Sequence, residues 1–168
     1  MMELIASADY VSIDTEGRNL NRVYGNTLYT IQFTIDGETA FLVPYMHPKT
    51  PYLPKEIEYI RKALADYFEK GKSKWHIYQN AKFDVLMFFS QLRIEFYNHR
   101  LWDISVGEMN VDENRKFFTN VKFSAYSLEA LSAKYGSFGY ANTAIGKEDR
   151  GNMAKFSLEE ILEYGSID

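Results

Sequence analysis

The stretch VSIDTEGRNL, residues 11–20, begins as a strand pattern and then places two carboxylates one residue apart. Apolar Val11 and Ile13 alternate with polar neighbours, so Asp14 and Glu16 stand where the strand is predicted to end. Residues two apart in an extended chain point to the same face, which lets both carboxylates converge on one cation. Two bare carboxylates at this range repel, and a divalent ion with oxygen ligands removes that repulsion.

A solvated surface pair is the alternative interpretation of this spacing. The same spacing recurs twice elsewhere in the chain, in Asp36/Glu38 and Glu56/Glu58. The first pair flanks a predicted turn and the second lies on a predicted helix, so neither follows a buried strand. The spacing alone therefore does not distinguish a metal site from a surface pair. A metal site would need further ligands from other parts of the chain.

The composition is typical of one globular domain. The chain has 168 residues, of which 46% are hydrophobic and 25% are charged. It has no cysteine, which excludes disulfides and thiolate zinc sites and fits a reducing compartment, so we expect a cytoplasmic protein. The net charge of −4 gives no global basic field, so any binding of nucleic acid must be local. Residues 1–8 lack the pattern of a signal peptide, and the longest apolar run, near 85–89, is too short to cross a bilayer.

Alternating strand and helix patterns predict an α/β fold. We expect strands at residues 10–13, 28–35, 38–43, 75–78 and 101–102. We expect helices at residues 54–70, 80–92, 127–135 and from 157 onward. A two-residue turn at Asp36-Gly37 joins two of the strands, Ser127 caps one helix, and Ser157 with Glu160 forms a capping box. A hairpin followed by strand–helix crossovers implies a mixed sheet, with antiparallel and parallel strands, flanked by helices.

Two further segments carry polar side chains at helical spacing. In YQNAKFDVLMFF, residues 78–89, Asn80 and Asp84 lie one helical turn apart at the start of a helix that follows a strand. The simpler interpretation is that Asn80 is an N-cap and Asp84 a first-turn charge that complements the helix dipole. In LEEILEYGSID, residues 158–168, Tyr164 and Asp168 are again four apart. On a helix this spacing covers roughly 6 Å, so a phenol and a carboxylate can lie over one site.

The order of these motifs resembles the 3′–5′ exonuclease domains of the DEDD superfamily, tyrosine subclass, as found in family A DNA polymerases and ribonuclease D. The resemblance covers nearly the whole chain. VSIDTEGRNL resembles the first exonuclease motif, IYQNAKFDVLMF the second, and EYGSID the body of the third. Glu163 stands where the histidine subclass carries its histidine, so the tyrosine subclass is indicated. His47, His76 and His99 show no ligand spacing and are predicted to be structural or surface residues.

The resemblance implies a ribonuclease H-like fold and hydrolysis with two divalent cations, Mg²⁺ or Mn²⁺. It places Asp14, Glu16 and Asp168 around one ion, while Asp14 bridges to a second ion near which Asp84 lies. Two metal ions roughly 3.5–4 Å apart stabilise the attacking and leaving oxygens of an in-line displacement. In this scheme Tyr164 orients the attacking water, and the products are 5′-mononucleotides released from a free 3′ end.

The resemblance also implies substrate contacts. Asn80 is expected near the scissile end, and Leu20 matches a leucine that wedges between terminal bases in the polymerase domains. Residues 136–155 are glycine-rich without helical period and are interpreted as a loop near the third motif. From this loop we expect Tyr140 to stack on bases, with Phe138 as a second candidate, and the cations to bind phosphates: Lys147, Arg150 and Lys155. The alternative is a surface loop with scattered charges.

Three functions remain open from the sequence. The leading hypothesis is a metal-dependent DNA exonuclease that proofreads for a family A DNA polymerase, with a single-stranded 3′ end as ligand and a polymerase domain as partner. The second is a ribonuclease D-like RNA exonuclease, and the third a non-catalytic nucleic-acid-binding or scaffold module with the same fold. Residues 1–168 are interpreted as a single exonuclease domain, truncated at the carboxyl end of its last helix.

Overall fold

The computed structural model describes residues 1–19, 25–114, 125–135, 145–146, 149 and 151–167. Its centre is a five-stranded mixed sheet with the strand order β3-β2-β1-β4-β5. The strands are β1 (Tyr10–Gly17), β2 (Leu28–Thr34), β3 (Ala40–Pro44), β4 (Trp75–Tyr78) and β5 (Arg100–Asp103). The helices are α1 (Met2–Ser7), α2 (Pro54–Lys70), α3 (Ala81–Met87), α4 (Ile104–Val111), α5 (Leu128–Tyr135) and α6 (Leu158–Ile167). The predicted α/β class with a mixed sheet is confirmed.

Strand β1 lies in the middle of the sheet, antiparallel to β2 and parallel to β4. It is longer than the predicted 10–13, because β2 supplies partners as far as Gly17. Asp14 is therefore inside the strand, opposite Gln32, and Glu16 is opposite Thr30. Pairing with β4 ends earlier, at Ser12. The last part of β1 is therefore paired with β2 along one edge, while its other edge is not paired with β4.

The hairpin between β2 and β3 does not have the predicted two-residue turn. The amide of Ile35 donates to the carbonyl of Thr39 at 3.2 Å, so residues 36–38 form the turn. The Asp36 carboxylate accepts hydrogen bonds from the backbone amides of Glu38 and Thr39. These bonds hold the pKa of Asp36 below its usual range, and they satisfy amides that a tighter turn would have paired with the strand.

Helix α2 has the predicted bounds, whereas the next predicted helix begins one residue late and changes from α to π geometry before it ends at the predicted Leu92. Helix α3 begins at Ala81 and continues as a π-helical turn over Phe88–Leu92. Asn80 is not the predicted cap, since its backbone is left-handed with φ of 63° and its side chain makes no capping bond. The carboxylate of Asp103 instead accepts from the amides of Asn80 and Ala81, at 3.3 and 2.8 Å. Asp103 also caps helix α4, which follows it directly, by accepting from the amides of Ser105 and Val106. The same carboxylate therefore accepts from backbone amides at the starts of both α3 and α4.

The other predicted caps are confirmed. The Ser127 hydroxyl accepts from the amide of Ala130 at 3.4 Å. Ser157 and Glu160 form the predicted capping box, with the Ser157 amide donating to Glu160 at 2.7 Å and the Glu160 amide donating to Ser157 at 3.2 Å. Helices α1 and α4 were not predicted, because each is short and carries little amphipathic periodicity.

Two hydrophobic clusters lie on the sheet. The larger packs α2 and α3 against the face that carries Val11 and Ile13. The smaller involves α6 and includes Ile145, Met153 and Tyr164. The described part of segment 136–155 is therefore not a plain loop, because Ile145 and Met153 are buried and Met153–Lys155 forms a 3-10 turn. In the part of the chain that the structure describes, no helix has the length and apolarity needed to cross a membrane.

The three histidines lie within the packed structure, as predicted, and His76 is the most buried. Its ring contacts Tyr67, Phe68 and His99, and neither ring nitrogen has a hydrogen-bond partner among the described residues. Burial lowers the pKa of His76 to about 4, with smaller contributions from His99 and Lys74. The folded protein therefore holds His76 neutral at pH values where the unfolded chain takes up a proton.

We expect His76→Phe to reduce the acid sensitivity of the fold. Because the folded pKa lies below the usual 6.5, His76 contributes stability above that pH that is lost as pH falls toward 4. The wild-type loss from this group is on the order of 2–3 kcal/mol. Urea unfolding at pH 4.5 and pH 7.5 measures it, and the difference between the two pH values should shrink in the variant. An unchanged difference would show that His76 does not titrate in this way.

Candidate active site

The carboxylates of Asp14 and Glu16 lie on one face of β1. Both are half-buried, and they alternate with the buried residues Ile13, Thr15 and Gly17. Their strand partners on β2 are Gln32 and Thr30. Strand β2 continues this face of the sheet and contacts helix α6. The two side chains therefore share the orientation predicted from their spacing.

Asp84 approaches the same strand from helix α3. Only 2% of Asp84 is exposed, and its Oδ1 accepts a hydrogen bond of 2.6 Å from the hydroxyl of Thr15. The backbone amide of Thr15 also lowers the pKa of the Asp84 carboxylate. Thr15 stands between Asp14 and Glu16 in the strand, beyond the last β1–β4 pair. The fold thus brings Asp84 to the segment of β1 that carries the other two carboxylates.

The environment of Asp84 disfavours a bare negative charge. Burial raises its pKa to about 7; the hydrogen bonds from Thr15 oppose this shift, and the negative charge of Asp103 adds to it. A buried carboxylate is a group whose charged form a metal ion would stabilise.

Helix α6 brings Tyr164 to the sheet through a close contact at Gly165. Tyr164 is 5% exposed and belongs to the smaller hydrophobic cluster. A Cβ atom at Gly165 would lie 2.8 Å from Cγ of Gln32, the residue opposite Asp14. The helix can therefore pack this closely on the Asp14 face only because residue 165 has no side chain.

Of the remaining predicted site residues, the structure describes Asn80 and Lys155. Asn80 is exposed at the start of α3. The others lie outside the described residues: Leu20, Phe138, Tyr140, Lys147, Arg150 and Asp168. Lys155 forms an ion pair with Asp149 and lies over the ring of Phe156. Within the described ranges, no three histidine, aspartate or glutamate side chains converge closely enough to hold a metal ion.

Comparison with known proteins identifies the family. A family model described as 3′-5′ exonuclease matches residues 1–168. The chain belongs to this 3′–5′ exonuclease family. The DEDD resemblance is thereby confirmed, and the chain is an exonuclease domain. No curated protein matched the sequence.

Solved structures share the fold of this exonuclease domain. NrnC of Brucella melitensis, bound to pGG or with bound Mg²⁺, has a TM-score of 0.59 at 15% and 17% identity, over 97% of this chain and 67% of NrnC. Escherichia coli RNase D gives 0.59 at 15% identity, over 99% of this chain and 37% of its own. The EXO domain of Aedes aegypti Nibbler gives 0.53 at 15% identity, over 99% and 81%. The exonuclease domain thus spans about a third of the RNase D chain.

The donor set of the exonuclease domain fits a hard divalent cation. Asp14 and Glu16 offer carboxylate oxygens on one face, and Asp84 is a buried carboxylate whose charged form needs a positive partner. Such oxygen ligands are the ones that Mg²⁺ and Mn²⁺ bind in proteins.

Three residues at the site escaped the sequence analysis. Thr15 contacts Asp84 across 69 positions of sequence, and Asp103 caps α3 from 23 positions away. Both contacts depend on how separate elements pack together, so no local sequence pattern indicates them. Gly165 carried a weaker signal, since a glycine inside a helix commonly marks a close approach, here to Gln32.

We expect Gly165→Ala to lower exonuclease activity about tenfold. The added methyl group would meet Gln32 at 2.8–3.1 Å, so α6 has to move away from the Asp14 face and Tyr164 moves with it. Activity on a single-stranded oligonucleotide measures this effect. The double variant Gln32→Ala/Gly165→Ala should recover activity relative to Gly165→Ala, with Gln32→Ala alone as the reference. A fully active Gly165→Ala variant would show that the close approach is not needed.

Proposed function

We propose that this domain is a metal-dependent exonuclease that removes 5′-mononucleotides from a free 3′ end, with Asp14, Glu16, Asp84, Tyr164 and Asp168 as its catalytic residues. The observation that carries the proposal is the docking of Asp84 on β1 between Asp14 and Glu16. Asp84 is thereby bound to the residue that stands between the two carboxylates of β1. Asp14 and Glu16 themselves share one face of the strand, and two like charges at this range repel unless a cation binds there.

The residues have separate roles in this scheme. Asp14, Glu16 and Asp168 would bind one Mg²⁺ or Mn²⁺, and Asp14 with Asp84 a second. When bound, these ions supply a hydroxide at neutral pH and stabilise charge on the attacking and leaving oxygens. The Tyr164 hydroxyl would donate to the attacking water and hold it in line with the scissile phosphate. NrnC, which shares the fold, has been seen with bound Mg²⁺, and this supports a cation in the same kind of site.

The proposed substrate is a single-stranded 3′ end. The residues that would hold it are Leu20, Asn80, Tyr140, Lys147 and Arg150. DNA is our first candidate, with a polymerase domain as partner in a proofreading assembly. RNA is the second candidate, favoured by two proteins of the same fold: E. coli RNase D is an exoribonuclease, and NrnC binds pGG.

Digestion of end-labelled strands tests the proposal. DNA and RNA of one sequence, each labelled at either end, are incubated with the protein and Mn²⁺, with and without EDTA. We expect immediate release of a labelled mononucleotide from the 3′-labelled strand, a shortening ladder from the 5′-labelled strand, and no reaction in EDTA. The faster of the two polymers identifies the substrate class.

Two results would contradict the proposal. Release of the 5′ label first would reverse the assigned polarity. Binding of the strands by folded protein without any shortening would support the non-catalytic module instead. Circular dichroism in the same buffer establishes that the protein is folded in either case.

A further inference from the structure

Thr15 is unusual among the residues on its side of β1. The side chains before it on this face, Val11 and Ile13, are apolar and pack in the larger hydrophobic cluster. Thr15 is equally buried, with 3% exposed, yet it carries a hydroxyl group. A buried hydroxyl needs a hydrogen-bond partner, and this one donates to Asp84.

The contact is short and connects two separate elements. The 2.6 Å distance from the Thr15 hydroxyl to Asp84 Oδ1 is at the short end of the range for hydrogen bonds from a hydroxyl group to an oxygen. The bond joins β1 to α3, so the hydroxyl of one residue fixes the position of the carboxylate. Threonine also has a restricted χ1 angle, which makes its hydroxyl a rigid donor.

The consequence is a fixed register between the strand and the helix. Asp14 and Glu16 are covalent neighbours of Thr15, so a group held by Thr15 is held relative to both. A carboxylate bound at one oxygen by a hydroxyl keeps its second oxygen for another ligand. Hydrogen bonds of this kind orient metal-binding side chains in other proteins.

We propose that Thr15 is a positioning residue of the exonuclease site, whose hydroxyl holds the Asp84 carboxylate in register with Asp14 and Glu16 for cation binding. The inference rests on the proposed function. It assigns Thr15 no contact with the substrate or with the reacting atoms. Its effect passes through Asp84 alone, and this distinguishes it from the catalytic residues.

The test compares Thr15→Val with Thr15→Ser. Valine keeps the shape of threonine without the hydroxyl, whereas serine keeps the hydroxyl. Loss of a hydrogen bond that orients a metal ligand typically costs 10–100-fold. We expect Thr15→Val to raise the Kd for Mn²⁺, measured by electron paramagnetic resonance, and to lower kcat by about this factor, with KM for the oligonucleotide changed less than about twofold. Thr15→Ser should recover both to within about threefold.

Thr39→Val is the matched control. It removes another threonine hydroxyl that donates to a carboxylate, that of Asp36, at 2.8 Å in the exposed hairpin. It should leave both the Mn²⁺ affinity and kcat unchanged.

Three results would overturn the inference. In the first, Thr15→Val binds Mn²⁺ and turns over as the wild type does. In the second, Thr15→Ser is impaired as severely as Thr15→Val, which indicates a packing role. In the third, the loss of Mn²⁺ affinity in both variants is fully explained by the loss of fold stability that their lower melting temperatures show. Failure of the proposed function is recognised separately, because the wild type would then neither bind Mn²⁺ nor shorten the strand.

Discussion

Asp14→Asn is expected to reduce digestion from the 3′ end by about a thousandfold or more, which corresponds to at least about 4 kcal/mol of transition-state stabilisation. Asp14 is the carboxylate assigned to both cations, and the amide of asparagine carries no charge to hold them. Asparagine has nearly the same shape as the aspartate that it replaces opposite Gln32, so the fold should be preserved. Initial rates on a 5′-labelled strand at saturating Mn²⁺ measure the effect.

A matched control separates this loss from a general effect of removing a charge. Asp66→Asn removes an exposed carboxylate that pairs with Lys70 on α2, away from the strand face of Asp14. It should leave the rate within about twofold of wild type. If Asp14→Asn retained a tenth or more of the wild-type rate with a normal Mn²⁺ requirement, Asp14 would not be a bridging ligand.

Asp84→Asn is expected to lower activity about a hundredfold while making the metal-free fold less sensitive to pH. The folded pKa of about 7 lies above the usual 3.8, so the folded state holds a proton that the unfolded chain has released. The stability of the wild type should therefore fall as pH rises from about 4 to about 7. Asparagine has no such titration, and the variant should gain on the order of a few kcal/mol at pH 8 in EDTA.

Urea unfolding in EDTA between pH 4 and pH 8 measures this second effect. His76 acts in the opposite direction over an overlapping range, so the comparison is between Asp84→Asn and wild type at each pH. The difference should grow with pH and diminish when Mg²⁺ is added to the wild type. A constant difference would mean that Asp84 stays ionised throughout, and an active Asp84→Asn enzyme would remove it from the catalytic set.

The parts of the fold that follow from local pattern were predictable. Helix α2 has its apolar spacing, its starting proline and its final glycine in one continuous stretch, and its bounds agree with the sequence. Strand β1 was predicted too short because Asp14 and Glu16 interrupt its apolar alternation, while the pairing with β2 that extends it is a long-range contact.

The same distinction between local pattern and long-range packing applies to the residues of the site. The common face of Asp14 and Glu16 follows from strand geometry alone, so the sequence was sufficient for it. The attachment of Asp84 to Thr15 depends on how α3 packs on β1, which no local pattern shows. The alternative interpretation of Asn80 as an N-cap does not hold, because Asp103, from a neighbouring strand, accepts from the amides at the start of α3.

Anomalous X-ray scattering from crystals soaked in Mn²⁺ tests whether the carboxylates of β1 hold the cations of the exonuclease. We expect a manganese peak within about 2.0–2.4 Å of oxygens of both Asp14 and Glu16, in the coordination range of hard divalent ions. The same soak of Asp14→Asn should lose that peak. Well-ordered side chains at both positions without a manganese peak, at millimolar Mn²⁺, would contradict the assignment of these residues as metal ligands.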